Sequence, residues 1–195
     1  MTTTTTTLLV TFLVLAAVAA IALVIVSRRR QSLRLQKHYG TEYERAVEQH
    51  GGQTRAEAEL RKREARVAKL KLLPLSADVA ARFSQAWKRV QGLFVDDPRG
   101  AVAEADKLVQ ELMTARGYPM GDFESRAADI SVDHPTVVAA YRAARTIAVK
   151  GERGEADTEE LRKALVHYRT LFSELLETRS IPSNELPPRK IAVQS

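Results

Sequence analysis

The sequence predicts an all-α protein with an N-terminal transmembrane helix, a charged helical spacer and a compact bundle of four main helices plus one short helix. An uncharged run covers residues 8–26, and beyond Pro74 apolar residues recur at spacings of three and four, as on one face of a helix. No stretch shows the period of two that is typical of strands. The expected segments are a short extracytoplasmic head (1–7), the transmembrane helix (8–27), a basic juxtamembrane spacer (28–75), the bundle domain (76–178) and a flexible tail (179–195).

The composition narrows the classes of function. The chain has 195 residues and no cysteine, which excludes disulfides, thiolate metal sites and thiol catalysis. Its net charge of +6 comes from one segment, because residues 28–75 carry 13 Lys and Arg against 6 Asp and Glu, whereas residues 76–195 carry 17 against 18. A nucleic-acid-binding domain has its basic face within the folded domain. We therefore expect no nucleic-acid partner.

The run Leu8–Val26 has the length of a membrane-spanning helix. Its 19 residues would extend roughly 28 Å as a helix, against a hydrocarbon thickness of about 30 Å. A cleaved signal peptide is the alternative, because Ala17–Ala20 resembles a small-residue cleavage site. However, no Lys or Arg precedes Leu8 and the apolar run continues past Ala20, which favours an uncleaved anchor.

Basic residues directly after the run predict its orientation. The positive-inside rule places this flank in the cytoplasm and the N-terminus of a single-pass protein outside. The residues expected at the membrane interface are Arg28, Arg29, Arg30, Arg34 and Lys37. The same side chains would attract anionic lipid headgroups, by about 1 kcal/mol for each basic residue near the surface.

The segment between the membrane and the bundle is charged and favours helices. Two capping boxes predict helix starts: Thr41-x-x-Glu44 and Thr54-x-x-Glu57. The helices expected here run to Tyr39, over 42–49 and over 55–72. Pro74 is expected to end the last of them. A plain charged spacer and a helix for self-association or partner docking through 42–72 both fit this pattern, which lacks the heptads of a long coiled coil.

Helix-start signals recur through the bundle domain. The expected starts are Ser76, Asp97-Pro98, Pro135 and Asp157, the last as an acidic capping box with Glu160. Gly117 is expected to end the second helix, and a short helix is expected over 122–129. The stripes predicted to face the core are Val79, Phe83, Trp87, Val90 and Phe94; Val102, Ala105, Leu108, Val109 and Leu112; Val138, Tyr141 and Ala148; and Leu161, Leu165, Tyr168, Phe172 and Leu175.

The last two helices share a short echo. The phrases "VVAAYRAA" (137–144) and "ALVHYRTL" (164–171) place Tyr-Arg in the same register. A repeat of the solenoid kind would make the domain a peptide-binding scaffold. Two ordinary amphipathic helices with a tyrosine at the edge of the core produce the same echo.

One cluster of polar residues is a candidate metal or catalytic site. The stretch "DISVDHP" places Asp129, Asp133 and His134 within six residues, and their oxygen and nitrogen atoms could bind a divalent ion or form an acid–base pair. The alternative is a helix start, in which Asp133 or Ser131 caps the helix after Pro135. The sequence contains no local metal, phosphate-binding or catalytic motif. No catalytic residue and no cofactor are therefore assigned.

Three phrases of the sequence are distinctive: "YGTEYERAVEQHG", "FVDDPRGAVAEADKLVQELMTARGYPMGDFESRAADISVDHPTVVAAYRAAR" and "ALVHYRTLF". They resemble a family of uncharacterised bacterial proteins, over roughly residues 35–176. In that family a hydrophobic N-terminal segment precedes a helical domain. The resemblance implies this architecture, a bacterial origin and hence a bacterial inner or plasma membrane, but it implies no activity.

The expected function is that of a single-pass membrane-anchored protein whose cytoplasmic helical domain binds another protein or acts as a scaffold. Two alternatives stay open. One is a metal-dependent or catalytic helical domain centred on Asp129, Asp133 and His134. The other is a membrane-surface protein associated with anionic lipids.

Overall fold

The computed structural model describes residues 2–177, with the side chains of residues 12, 13 and 15–177. Over these residues the chain forms eight helices and no strand, which confirms the predicted all-α fold. The helices are α1 (Thr2–Tyr39), α2 (Thr41–His50), α3 (Gln53–Val67), α4 (Ala77–Asp96), α5 (Pro98–Arg116), α6 (Phe123–Asp133), α7 (Val138–Glu152) and α8 (Thr158–Leu176). The predicted tail 179–195 and the side chains of the predicted head 1–7 lie outside the described residues.

Contacts between residues divide the chain into two units. The first comprises the chain up to Ala68 together with Ala128–Ala139. The second comprises Lys69–Ala127 and the chain from Ala140 onward. Helices α1, α2 and α3 belong to the first unit, whereas α4, α5 and α8 belong to the second.

The first helix continues without interruption from Thr2 to Tyr39. Among the described residues, no helix is both long enough and apolar enough to cross a membrane. The predicted span 8–27 includes residues 8–11 and 14, whose side chains lie outside the description. The large apolar side chains that are described between Phe12 and Val26 are between 45% and 71% exposed.

The three helices of the first unit pack around a small apolar core. Gly40 alone separates α1 from α2, and its φ of 51° is a left-handed value that glycine adopts without steric cost. The chain therefore reverses at once, and side chains from all three helices meet. The core residues are Leu35, Tyr39, Tyr43, Ala46, Ala56 and Leu60.

The two capping boxes predicted in this unit are wrong. Thr41 is the first residue of α2 and Thr54 lies in the first turn of α3, and neither helix has a side-chain cap. Glycines 40 and 52 occupy the cap positions, because the reversals there need φ values of 51° and 144°. Glu57, predicted to complete the second box, instead accepts a hydrogen bond from the Tyr43 hydroxyl at 3.0 Å.

Helix α3 ends at Val67, earlier than the predicted end near residue 72. The following backbone runs beside the end of α5, where the Leu73 N–H donates to the Arg116 carbonyl at 3.0 Å. A Cβ added to Gly117 would lie 2.6 Å from the Lys71 carbonyl oxygen, and Gly117 has a φ of 93°. The close approach of two backbones therefore holds residues 71–73 out of a helix, and only glycine fits position 117.

The second unit is built around α5, which packs against both α4 and α8. The caps predicted for its helices are confirmed. Ser76 accepts from Val79 N–H at 3.4 Å, and Asp97 accepts from Gly100 N–H at 2.9 Å. Asp157 and Glu160 form both halves of a capping box, at 2.7 and 3.1 Å. The predicted stripe of α5 is buried throughout. On α4, Trp87 and Val90 are buried, whereas Val79, Phe83 and Phe94 are half-buried.

The stretch "DISVDHP" ends one helix and does not begin the next, so its prediction as a helix start is wrong. Asp133 is the last residue of α6, which extends four residues beyond its predicted end, and α7 begins only at Val138. The Ser131 hydroxyl donates to the Ala128 carbonyl at 2.7 Å, within α6 itself. A turn closed by Val137 N–H and the His134 carbonyl at 3.2 Å joins the two helices.

Candidate functional site

Asp129 in the first unit is bound by an arginine from α3. Nε and Nη2 of Arg66 donate to Asp129 Oδ1 at 2.8 and 2.5 Å, and Asp129 is 3% exposed. Charge-assisted hydrogen bonds of this kind are among the strongest in proteins. Asp129, the first residue of the predicted metal or catalytic cluster, thus attaches the end of α6 to α3.

Asp133 and His134 follow Asp129 in the same segment. Both have polar partners of their own. Within residues 2–177, no group of three His, Asp or Glu side chains is placed to hold a metal ion. Two residues that contact this segment were not predicted from the sequence: Arg66 and also His38, whose Nε2 lies 2.8 Å from the Val132 carbonyl oxygen. These partners are 63 and 94 residues away in the chain, so no local pattern could indicate them.

The predicted membrane-interface residues have different surroundings. Nη2 of Arg34 donates to both carboxylate oxygens of Glu64, at 3.0 and 2.7 Å, so this arginine joins α1 to α3. The other four predicted interface residues are exposed, as Arg34 is: Arg28, Arg29, Arg30 and Lys37.

Two of these exposed arginines line a concave site of about 730 Å³ between α1 and the start of α3. We call it the arginine cavity; its lining includes Arg28, Arg29, Ser32, Gln53, Thr54 and Arg61. Nε2 of Gln53 donates to the Ser32 hydroxyl at 2.7 Å, which holds the first residue of α3 against α1. Because the two helices are joined at its edge, the cavity is already formed before any ligand is present.

Glu57 is the one acidic residue in the lining of the arginine cavity. It accepts hydrogen bonds from Gln53 at 2.9 Å and Tyr43 at 3.0 Å, and it pairs with Arg61 at 3.7 Å. Burial acts to raise the pKa of Glu57, but hydrogen bonds from Gln53, Ser32 and Tyr43 outweigh it and hold the pKa below its ordinary value. Glu57 therefore carries its charge at neutral pH and supports the walls of the cavity.

The second unit contains a separate buried polar network centred on Asp106. Its Oδ1 accepts from the Tyr168 hydroxyl at 3.0 Å, and its Oδ2 accepts from Gln110 Nε2 at 2.7 Å. Nη1 of Arg145 lies 3.5 Å from the same Oδ2. Both carboxylate oxygens are thus engaged, which is typical of a network that joins helices rather than of a free general base. A cavity of about 370 Å³ lies beside Asp106 and Arg145.

The two tyrosines of the sequence echo belong to this core. Tyr141 and Tyr168 are fully buried, and their rings meet edge to face at 6.3 Å. Burial, and then the charge of Asp106, raises the pKa of Tyr168, and burial also raises the pKa of Tyr141. The Tyr141 hydroxyl accepts from Arg126 Nε at 3.3 Å, so the two hydroxyls have different partners despite their common register.

An apolar groove runs between α4 and α5 in the second unit. We call it the α4–α5 groove; its volume is about 490 Å³ and its apolar lining is Val79, Phe83, Ala86, Leu108 and Ala115. Arg82, Arg89 and Glu111 also line it. Phe83 was predicted to face the core, but it stays half-buried because this groove leaves one side of its ring uncovered.

Comparison with family models, curated proteins and solved structures finds no match. The resemblance of the three sequence phrases to a bacterial family stays a prediction. The function proposed below is therefore based on the chemistry and geometry of the described residues.

Substitution of Tyr168→Phe tests the Asp106 network. Loss of the hydrogen bond to Asp106 should lower the free energy of unfolding by about 1–3 kcal/mol near neutral pH. Because the pKa of Tyr168 is raised in the folded state, its contribution is fully present below the unfolded tyrosine pKa of about 10 and is lost as the pH rises further. Above about pH 10, the wild type should therefore lose about 1.4 kcal/mol per pH unit more than the variant.

The measurement is denaturant unfolding followed by fluorescence of Trp87, the only tryptophan of the chain, whose ring stacks on Phe172 of α8 at 4.7 Å. Thr170→Val is the matched control, because its exposed hydroxyl donates to the Val166 carbonyl at 3.2 Å and does not titrate. This control should keep the pH dependence of the wild type. Equal pH dependence of Tyr168→Phe and the wild type would contradict the role given to this hydroxyl.

Proposed function

We propose that the protein is a single-pass membrane protein that holds a helical interaction domain at the cytoplasmic face of a bacterial inner membrane. The observation that supports the anchor is the exposure of α1. Successive residues of a helix are separated by about 100°, so the described apolar side chains between Phe12 and Val26 point in all directions around its axis. A helix that is apolar on all sides belongs to an apolar environment rather than to water.

The energy of this exposure is large. The described part of the run contains nine large apolar side chains: Phe12, Leu13, Leu15, Val18, Ile21, Leu23, Val24, Ile25 and Val26. Burial of each such side chain contributes about 1.5–3 kcal/mol. Removal of the whole run from water by a bilayer would therefore be strongly favourable, and the arginines that follow at positions 28–30 favour a cytoplasmic location for the rest of the chain.

Membrane extraction tests the anchor. The full-length protein should stay in the membrane fraction after alkaline carbonate washing, and a clearly larger fraction of the double variant Val18→Lys with Ile21→Lys should be released, because each lysine costs about 2.5–3.5 kcal/mol at the centre of a bilayer. Leu33→Lys is the matched control, since Leu33 is exposed but follows the run, and it should stay in the membrane. Release of the wild type by the same wash would overturn the anchor, and a C-terminal reporter active only outside the cytoplasm would overturn the orientation.

For the interaction domain, we propose that the α4–α5 groove binds an amphipathic helix of another protein. The apolar lining offers a surface for the apolar face of such a helix. Arg82 and Arg89 are seven residues apart, so they lie on the same side of α4 two turns from each other. Acidic residues with the same spacing on the partner would complement them. Association through 42–72 also stays a prediction, although Tyr43, Ala46, Ala56 and Leu60 of that segment already form the core of the first unit.

Site-specific photocrosslinking in cells tests the groove. A photoreactive residue at Ala86 should give one discrete product, and the crosslinked site in the partner should lie in an amphipathic helix with acidic residues on one flank. Charge reversal by Arg82→Glu with Arg89→Glu should abolish the product, whereas Arg162→Glu, on the exposed surface of α8, should not. A product that persists after reversal, a crosslink only to a second copy of this chain, or no product at all would contradict this docking surface.

A further inference from the structure

We propose that the arginine cavity binds the phosphate of an anionic phospholipid headgroup. The inference rests on the proposed membrane anchor and assigns a ligand to a particular site beside it. The chemistry recognised is a phosphate-bearing anion held by guanidinium groups. A lipid is the source that the position of the cavity favours.

The cavity lies at the depth of lipid headgroups if the apolar run spans the bilayer. Arg28 and Ser32 follow Val26 by two and six residues, so they lie about 3 and 9 Å beyond the end of the run along the helix axis. The polar layer on each side of a bilayer is about 5–8 Å thick, so Arg28 lies within it and Ser32 lies at its outer edge. Gln53 bonds to Ser32, so the start of α3 returns to this same level although it is 21 residues away in the chain.

The charges of the cavity favour an anion. Three guanidinium groups line it, against the single carboxylate of Glu57. Among the residues that the structure describes, no carboxylate forms an ion pair with Arg28 or Arg29, and Arg61 is 3.7 Å from Glu57. The planar guanidinium group presents two N–H donors side by side and binds phosphate oxygens in a bidentate manner.

The shape of the cavity also fits a single bound headgroup, rather than a general electrostatic attraction to many lipids. Its volume of about 730 Å³ is within the range of about 300–1,000 Å³ that is usual for small-ligand sites. Its two walls come from α1 and α3, which the core of the first unit holds together. Little conformational freedom is therefore lost when a ligand enters.

Native mass spectrometry of the full-length protein in a neutral detergent tests the site. Phosphatidylglycerol is titrated into the micelles, with phosphatidylcholine in parallel, and lipid retained by the protein is counted. The wild type should retain one phosphatidylglycerol in preference to phosphatidylcholine. The variant Arg28→Gln, Arg29→Gln, Arg61→Gln should bind it on the order of 100-fold more weakly, since each basic residue contributes about 1 kcal/mol.

The matched control removes three positive charges of the same unit that do not line the cavity, by Arg30→Gln, Lys37→Gln and Arg55→Gln. It should retain the lipid like the wild type, because all three guanidinium groups that line the cavity are still present. Circular dichroism checks that both variants keep their helices. Equal losses in the two variants, or retention by both, would overturn the site.

Two further arms separate the remaining outcomes. In the first, millimolar inorganic phosphate is added to the same samples. If phosphate does not displace the lipid, a headgroup ligand is supported. If phosphate displaces the lipid fully, the lipid ligand is overturned in favour of free phosphate. Carbonate extraction of the cavity variant is carried out in parallel. The variant should stay in the membrane, so loss of lipid with an intact anchor supports the inference, whereas release of the wild type overturns the anchor and the lipid ligand together.

Discussion

The packing of Leu35 and Tyr39 against α2 and α3 fixes the position of the first unit along α1. Both side chains are 1% exposed, and they belong to the same uninterrupted helix as the apolar run. A straight helix advances about 1.5 Å per residue, so the core begins about 13 Å beyond Val26. The arginine cavity, the start of α3 and the reversal at Gly40 all depend on this attachment. If a flexible linker replaced this part of α1, none of these three features would lie at a defined depth in the membrane.

Buried charges specify how the small core is assembled. Arg63 and Glu42 pair at 3.3 Å with both side chains almost fully buried, and this pair joins α3 to α2. A buried ion pair is weak support for stability, but removal of either partner leaves an uncompensated charge. The Tyr39 hydroxyl is also buried and has no hydrogen-bond partner among the described residues, and burial followed by the charge of Glu64 raises its pKa. The first unit thus combines few apolar side chains with polar groups that tolerate one arrangement.

The sequence could predict those features that depend on neighbouring residues. Ser76, Asp97 and Asp157 cap helices as expected, because a cap needs only a side-chain oxygen and an N–H group three residues later. Features that depend on contacts between residues far apart in the chain could not be predicted from the sequence. Asp129 pairs with Arg66 across 63 residues, and Gly40 and Gly52 occupy the cap positions that the spacing predicted for Thr41 and Thr54. The arginine cavity could not be predicted for the same reason, since only the fold brings its two walls together.

A depth measurement tests most directly whether α1 carries the start of α3 at the membrane surface. The chain has no cysteine, so single spin labels can be placed at Leu33→Cys and Thr54→Cys without other changes. In phospholipid vesicles, power-saturation electron paramagnetic resonance should place both labels at the outer edge of the headgroup layer, about 10 Å beyond the end of the apolar run and within about 5 Å of each other in depth. A Thr54 label in bulk water, with the Leu33 label at the interface, would contradict the attachment of the first unit to α1.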